Sequence, residues 1–353
     1  MRRGILFLTV SMLIMASVTV MGAPTPQNPA VLKISYNAPE LLTTDVVQWE
    51  QEHGMGVIFK NLVESGTGGA IKVELYPSSQ LGDNVTSIEM VMSGSIEGVI
   101  GTGVLPSFYP KFEVISIPYL FKSPEIAWWV FDNTEYWAEL EEDLRQTTGL
   151  RLLAMGQNGV RHFTHKSKFI KTPADLKGEK MRVMQSPIFV KMMQAFGANP
   201  VPIAWTEVYT SLQTGVVDGH ENPVSVIAAN NIHEVQSYLT LDGHLWSEDF
   251  FVISDKLYSS LPTDMQVILK QAAKQAEVVN RGIETIHSTG PGLSKLIREG
   301  MKVYTPTMEE KAQFAEVAQP AVIEYLEEKV GKEAVQGMLD AVVEAETALG
   351  YID

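Results

Sequence analysis

The chain has 353 residues, of which 45% are hydrophobic, and it carries a formal net charge of −15 at pH 7. This length and composition suffice for one large domain or two of ordinary size with real cores, which excludes a disordered chain. The negative charge disfavours nucleic acid and anionic membrane surfaces as partners. The sequence has no cysteine, so disulfides, thiolate metal ligands and cysteine nucleophiles are excluded.

The N-terminal segment is typical of a secretory signal peptide. Arg2 and Arg3 precede an apolar run from Gly4 to Met21, and small residues follow, ending at Ala23. A charged start, an apolar centre and a small-residue end are the three parts of such a peptide. We therefore predict that residues 1–23 are cleaved during export to the periplasm. The alternative is a membrane anchor, because about 18 apolar residues can span a bilayer.

Strand-like and helical patterns alternate along the rest of the chain, as is typical of α/β folds. The predicted strands are, in chain order, LKISYNA, IKVELYP, GVIG, RLLAMG, EKMRVM, NPVPI, YLTLDG, FFVIS and MKVYTP. Helices are predicted near Asp45–Ser65, Thr86–Ser93, Pro124–Thr147, Ile188–Phe196, Trp205–Gln213 and Val224–Asn231. A longer helix is predicted over Thr263–Ser288, because apolar residues recur there with a period of 3.6 residues. At 1.5 Å per residue it would be roughly 35 Å long, sufficient to brace two domains.

The sequence lacks the motifs of common enzyme classes. It contains no G-x-S-x-G elbow, no G-x-x-x-x-G-K-[ST] loop and no G-x-G-x-x-G after a strand. His162 and His165 lie three residues apart without the H-E-x-x-H context of a zinc site, and His220 beside Glu221 has no nearby nucleophile. We therefore predict no catalytic residues, no metal site and no cofactor.

Two arginines and an asparagine are candidates for binding a carboxylate. Arg182 lies between apolar residues in the strand-like KMRVM, and Arg161 follows the turn sequence GQNG. A guanidinium in an apolar strand must pair with a carboxylate or face a polar cleft, and the sequence leaves both alternatives open for Arg182. Asn222 adds an amide that can donate and accept just before Pro223. Together these groups could hold the carboxylate of a small molecule.

Four segments resemble, in the same order, the extracytoplasmic substrate-binding subunits of TRAP (tripartite ATP-independent periplasmic) transporters. These are YPSSQLGD (Tyr76–Asp83), LKGEKMRV (Leu176–Val183), EVYTSLQTGVVDGHENP (Glu207–Pro223) and FFVISDKLYSSLP (Phe250–Pro262). The resemblance begins at about Val31 and covers nearly the whole remaining chain. It implies an α/β fold of the two-lobed periplasmic-binding-protein (flytrap) type, with crossover strands and a long bracing helix. We expect lobe I to comprise residues 31–157 and 248–287, and lobe II residues 158–247 and 288–353.

The resemblance also assigns expected roles to individual residues. Arg182 matches the arginine that pairs with the substrate carboxylate, Asn222 matches the amide that supports it, and Arg161 matches a second arginine of many members. Further positions expected at or near the cleft are Asn37, Trp205, His244 and Trp246. Glu89, in the helix after QLGD, is a candidate acceptor for a ligand hydroxyl, or else a solvated helix residue. The segment from Glu40 to Gly54 departs from the family pattern, so the resemblance leaves open whether Trp49, Glu50 and His53 contact the ligand.

The function implied by the resemblance is the capture of a small organic acid and its delivery to a membrane permease without ATP. A hydroxylated monocarboxylate such as a uronate or aldonate suits the expected cleft best, and a keto acid or an amino-acid-like anion is the alternative. The expected protein is a periplasmic monomer. Two other classes stay open at this point: a binding protein of another importer or sensor, and an exported enzyme that acts on sugar acids.

Overall fold

The structure is a computed structural model that describes residues 23–41 and 49–352. The predicted signal peptide, except for Ala23, and the start of the first predicted helix lie outside the described residues. Within them, no helix is both long enough and apolar enough to span a bilayer.

A mixed β-sheet runs through the described part of the chain. Its strands are β1 (Ala30–Ser35), β2 (Ile71–Tyr76), β3 (Gly98–Gly101), β4 (Leu150–His165), β5 (Lys180–Val183), β6 (Asn199–Pro202), β7 (Gly219–Pro223), β8 (Tyr238–Ser254) and β9 (Lys302–Tyr304). They lie in the order β2-β1-β3-β8-β4-β7-β5-β6, with β9 paired to β8. Strands β1 to β3 are mutually parallel, as are β5 to β7, so each group collects its carboxyl ends at one edge.

Helices cover the sheet. They are α1 (Gln51–Gly66), α2 (Asn84–Ser93), α3 (Pro124–Asn133), α4 (Glu135–Thr148), α5 (Pro187–Ala195), α6 (Trp205–Thr214), α7 (Val224–Ala229), α8 (Asp255–Ser260), α9 (Thr263–Thr289), α10 (Pro291–Arg298), α11 (Met308–Val330) and α12 (Lys332–Ala348). The predicted helix over Pro124–Thr147 is divided in two, because Thr134 has extended backbone and its side chain caps α4 by accepting from Trp137 N.

The two long strands β4 and β8 connect the two strand groups. They pair antiparallel from Leu150 opposite Ser254 to His165 opposite Tyr238. One end of β8 pairs with β3, whereas the far end of β4 pairs with β7. Each long strand therefore contributes to both groups, in agreement with the crossover strands that the sequence predicts.

The long helix α9 packs against α1, β4, α7 and α10. It covers Thr263–Thr289, one residue more than predicted. Its buried residues include Leu269 and Ala273, which belong to the core around β1 and α1. Because α9 contacts elements on both sides of the crossover, it has the position expected of a brace.

Three hydrophobic cores stabilise the fold. One lies between β1, α1 and α9, and a second lies around α6, α7 and α10. The third and largest includes residues from both sides of the crossover, and in it α12 packs on α3 and α4. The predicted lobe II contains α12, whereas α3 and α4 lie before residue 157 and therefore in the predicted lobe I. The exact lobe boundaries stay a prediction.

Candidate functional site

A cavity lies where the carboxyl ends of the two strand groups face each other. It encloses about 590 Å³ of empty space, including the part that opens to solvent. Its lining comes from the ends of β1, β3, β5 and β7, from the crossing segment of β4, and from the first residues of α1, α2 and α6. Sites for small molecules typically have about 300–1,000 Å³ and occupy such a position in α/β folds.

Arg182 lines this cavity as a buried guanidinium that has no acidic partner within residues 23–41 and 49–352. Its neighbours in β5, Met181 and Val183, enter the large core, and the alternation of a strand places Arg182 on the other face. Nε and Nη2 donate to the carbonyl oxygen of Ile203 at 3.0 and 2.8 Å. Among the described residues, Nη1 has no hydrogen-bond partner and no carboxylate pairs with the group.

The electrostatics of Arg182 favour an anion beside it. Burial lowers its pKa to about 9, against the opposing effect of the Glu221 charge. A buried charge without a partner is costly, and a bound carboxylate would remove that cost. The guanidinium carbon also lies 5.7 Å from the ring centroid of Trp205, another residue of the lining. This arrangement can hold a planar carboxylate.

Three further polar atoms of the lining have no partner within the part of the chain that the structure describes. They are Nδ2 of Asn222, Oδ1 of Asn84 and Oγ1 of Thr102. Asn222 is 3% exposed and Asn84 is 5% exposed. Buried polar groups are nearly always hydrogen-bonded, so these atoms are suited to bond a polar molecule in the cavity.

Two carboxyl groups from the start of α1 form another part of the lining. Oε2 of Glu50 caps the helix by accepting from His53 N at 2.8 Å, and Oε2 of Glu52 accepts from Ala38 N at 3.1 Å. Burial and the charge of Asp249 raise the pKa of Glu50 to about 8 and hold that of Glu52 well above its usual range.

Arg161 lies behind the cavity and not in its lining. It is fully buried, and it donates to both carboxylate oxygens of Glu221. His244 continues the network, with Nδ1 2.8 Å from Asp242 and Nε2 3.4 Å from Glu221. Burial acts against the charges of Glu221 and His244. Arg161 and His244 nevertheless hold the pKa of Glu221 at about 2. Asp242 and Glu221 raise that of His244 to about 9.

The structure therefore separates the residues expected at the site into two sets. Those that line the cavity are Asn37, Arg182, Trp205 and Asn222. Those outside its lining are Glu89, Arg161, His244 and Trp246. Trp246 is buried against Phe121 and Phe131, and Glu89 is exposed on α2. A ligand contact stays a prediction for every one of the eight.

Sequence reasoning left Glu50 open and missed six other polar residues of the described lining: Glu52, Asn84, Thr102, Asn158, Gln185 and Asn230. A local signal existed for two of them. Asn84 directly follows QLGD, where Asp83 caps α2, and Asn158 lies within GQNG. Both are polar residues at the ends or breaks of regular elements, where binding groups concentrate. No group of three or more acidic, histidine or cysteine side chains in residues 23–41 and 49–352 could hold a metal ion.

Comparison with known proteins gives consistent matches. The family model DctP, described as bacterial extracellular solute-binding protein, family 7, matches residues 49–329. A solute-binding protein from Verminephrobacter eiseniae is 33% identical over 287 residues, which are 80% of this chain and 83% of that protein.

Two solved structures share the fold over most of their length. The sugar acid binding protein DctPAm from Advenella mimigardefordensis, in complex with galactonate, aligns with a TM-score of 0.83 and 30% identity, covering 90% of this chain and 99% of that one. A TRAP periplasmic solute binding protein from Polaromonas sp. JS666, bound to D-erythronate, aligns with a TM-score of 0.80 and 30% identity, covering 88% and 98%.

Proposed function

The chain belongs to family 7 of the bacterial extracellular solute-binding proteins, and we propose that it captures a small organic acid and delivers it to the membrane permease of a TRAP transporter. The resemblance to TRAP binding subunits and the two-lobed α/β fold, both predicted from the sequence, are confirmed. The proposed ligand is a hydroxylated monocarboxylate, such as an aldonate or a uronate.

One observation carries this proposal: the unpaired guanidinium of Arg182 in the cavity lining. A carboxylate can take the free Nη1 and the free amide nitrogen of Asn222 together. The unpartnered oxygens of Asn84 and Thr102 can then accept from ligand hydroxyls. Two similar proteins hold galactonate and D-erythronate, both of which are hydroxylated monocarboxylates.

The polar side chains proposed to bind the ligand are distributed over both strand groups, and capture follows from this distribution. Arg182 and Asn222 lie on β5 and β7, whereas Asn84 and Glu52 lie at the start of helices that pack against β3. A ligand that contacts both sides binds the closed form more tightly than the open form, so it shifts the population toward closure. The closed form is the one that would dock on the permease.

We propose binding without turnover. His220, which lies beside Glu221 on β7, is fully buried and bonded to Thr164, and burial lowers its pKa to about 3. Capture and release require no bond to break. We further propose that the mature protein is a periplasmic monomer that begins close to Ala23, as the N-terminal sequence predicts.

A thermal-shift screen against aldonates, uronates, keto acids and amino acids tests the proposal. A ligand at 100 times its Kd stabilises the folded state by about 2.7 kcal/mol. We expect galactonate, D-erythronate or glucuronate to raise the Tm, and mass spectrometry to recover the ligand unchanged. Absence of a shift with every acid would contradict the proposed ligand class, and product formation would favour an exported enzyme.

A further inference from the structure

The described residues of the cavity wall at the start of α1 and the start of α2 include no lysine or arginine. Glu50 and Glu52 are each 4% exposed, and within the described residues no lysine or arginine forms an ion pair with either. Asp249 lies behind them, where Asn158 and Asn280 donate to its carboxylate. Among the described lining residues, Arg182 on β5 is the one side chain that carries a full positive charge.

An independent feature of the same wall indicates what it receives. Asn84 lines the cavity, and its buried Oδ1 has no hydrogen-bond partner among the described residues. A carbonyl oxygen of this kind can only accept, so its partner must be a donor. Hydroxyl groups of a ligand supply donors, whereas a carboxylate supplies none.

Building on the proposed function, we infer that Glu50, Glu52 and Asn84 form a hydroxyl-binding subsite that excludes a second carboxylate, so that the protein selects monocarboxylates over the matching dicarboxylates. Arg182 would neutralise the first carboxylate, and no cation of the described lining is left for another. A second carboxylate would be buried without a partner, and the cost of an unpaired buried charge discriminates strongly between ligands.

The acidic wall already disfavours the negative charge of its own side chains. Burial and the charge of Asp249 raise the pKa of Glu50 to about 8, and the same causes act on Glu52 together with the charge of Glu50. A carboxylate at the far end of a ligand would meet the same desolvation, and no cation of the described lining other than Arg182 could offset it. A hydroxyl group at that position can donate to these carboxyl oxygens at no such cost.

Calorimetric titration of the mature protein with matched acids tests the subsite. Galactonate and galactarate differ in one terminal group, CH2OH or carboxylate, and D-erythronate and meso-tartrate differ in the same way. For whichever pair binds, we expect the Kd of the dicarboxylate to be at least about 100-fold larger than that of the monocarboxylate. Each tenfold ratio in Kd corresponds to about 1.4 kcal/mol. Equal or tighter binding of the dicarboxylate would overturn the inference and leave the proposed function intact. If no acid of either kind binds, the proposed function fails, and the inference with it.

Two variants assign the selectivity to the wall. Glu52→Gln removes an ionisable group, keeps an oxygen that can accept from Ala38 N and adds an amide nitrogen that can donate to a carboxylate. We therefore expect the ratio of the Kd values of the matched dicarboxylate and monocarboxylate to narrow at least about tenfold. Glu139→Gln is the matched control, because Glu139 is exposed on α4 outside the cavity lining. An unchanged ratio in Glu52→Gln, with a ligand-free melt like that of the wild type, would overturn the role of this wall.

Discussion

Arg161 and Glu221 form a two-pronged ion pair in which both side chains are completely buried. Nη2 of Arg161 donates to Oε1 at 2.9 Å, and Nε donates to the other carboxylate oxygen. The charge of Arg161 is thus neutralised within the protein, whereas Arg182 has only the carbonyl oxygen of Ile203 as a partner among the described residues. The two arginines therefore differ in what their removal should do.

Arg161→Ala should destabilise the protein before any ligand is added. Removal of one partner leaves the carboxylate of Glu221 buried and unpaired, at a cost of about 3–5 kcal/mol in the free energy of unfolding. Urea denaturation of the ligand-free variant measures this directly. A variant with wild-type stability that has lost only its affinity for ligand would place Arg161 at the ligand, as the sequence resemblance implies.

Arg182→Ala should behave in the opposite way. The ligand carboxylate would be buried without its partner, which costs on the order of 2–5 kcal/mol, or roughly 30-fold to several-thousand-fold in Kd. Arg182→Lys should restore only part of this, because an ammonium cannot present the planar fork of a guanidinium. Calorimetric titration measures the affinity, and a ligand-free melt close to that of the wild type serves as the control. Near-normal affinity would remove Arg182 from the site.

For Arg182 the sequence left two alternatives open, a carboxylate partner or a polar cleft, because apolar residues flank it in a short strand. In the structure its side chain lines the cavity, and its role in binding stays a prediction. The sequence could not reveal the partner of Arg161. Glu221 is 60 positions away along the chain, and only the antiparallel pairing of β4 with β7 brings the two together. Long-range pairs of this kind have no local signal.

The lengths of β4 and β8 were also beyond a local prediction. RLLAMG was predicted as one short strand, and YLTLDG and FFVIS as two. In the structure, the glycine and polar residues that follow or separate these runs continue the strands, with register shifts at Gln157/Gly159 and Arg161/Phe163. Polar residues normally indicate a turn, but here they line or support a cleft.

Helix α11 was not predicted, and it contains Pro320, a residue that argues against a helix interior.

His244 should make the free energy of unfolding depend on pH. Its pKa is raised to about 9 by Asp242 and Glu221, against burial, whereas in the unfolded chain it is about 6.5. The folded state therefore holds the proton more tightly. The stabilisation is fully present below about pH 6.5 and is lost as the pH rises through about 9, by a total on the order of 3 kcal/mol.

Denaturation of the wild type and of His244→Gln at a series of pH values measures this effect. The difference in free energy of unfolding between them should decline from pH 6 toward pH 9.5. Other buried groups with raised pKa values, such as Glu284 and Asp249, contribute equally to both proteins and cancel in the difference. A difference that is constant with pH would show that His244 is neutral in the folded protein.

Ligand binding should compact the protein without changing its secondary structure. The groups proposed to hold the ligand lie on both sides of the crossover, with Arg182 and Asn222 on one side and Glu52 and Asn84 on the other. The long strands and α9 connect the two sides, so closure needs only small changes where β4 and β8 pass from one strand group to the other.

Small-angle scattering should give a smaller radius of gyration with saturating ligand, and circular dichroism should be unchanged. At a ligand concentration just sufficient to saturate the wild type, Arg182→Ala should keep the larger radius, because its weaker affinity leaves most molecules unliganded. A wild-type radius that stays constant while calorimetry records tight binding would contradict closure and indicate that the ligand enters a cleft already formed.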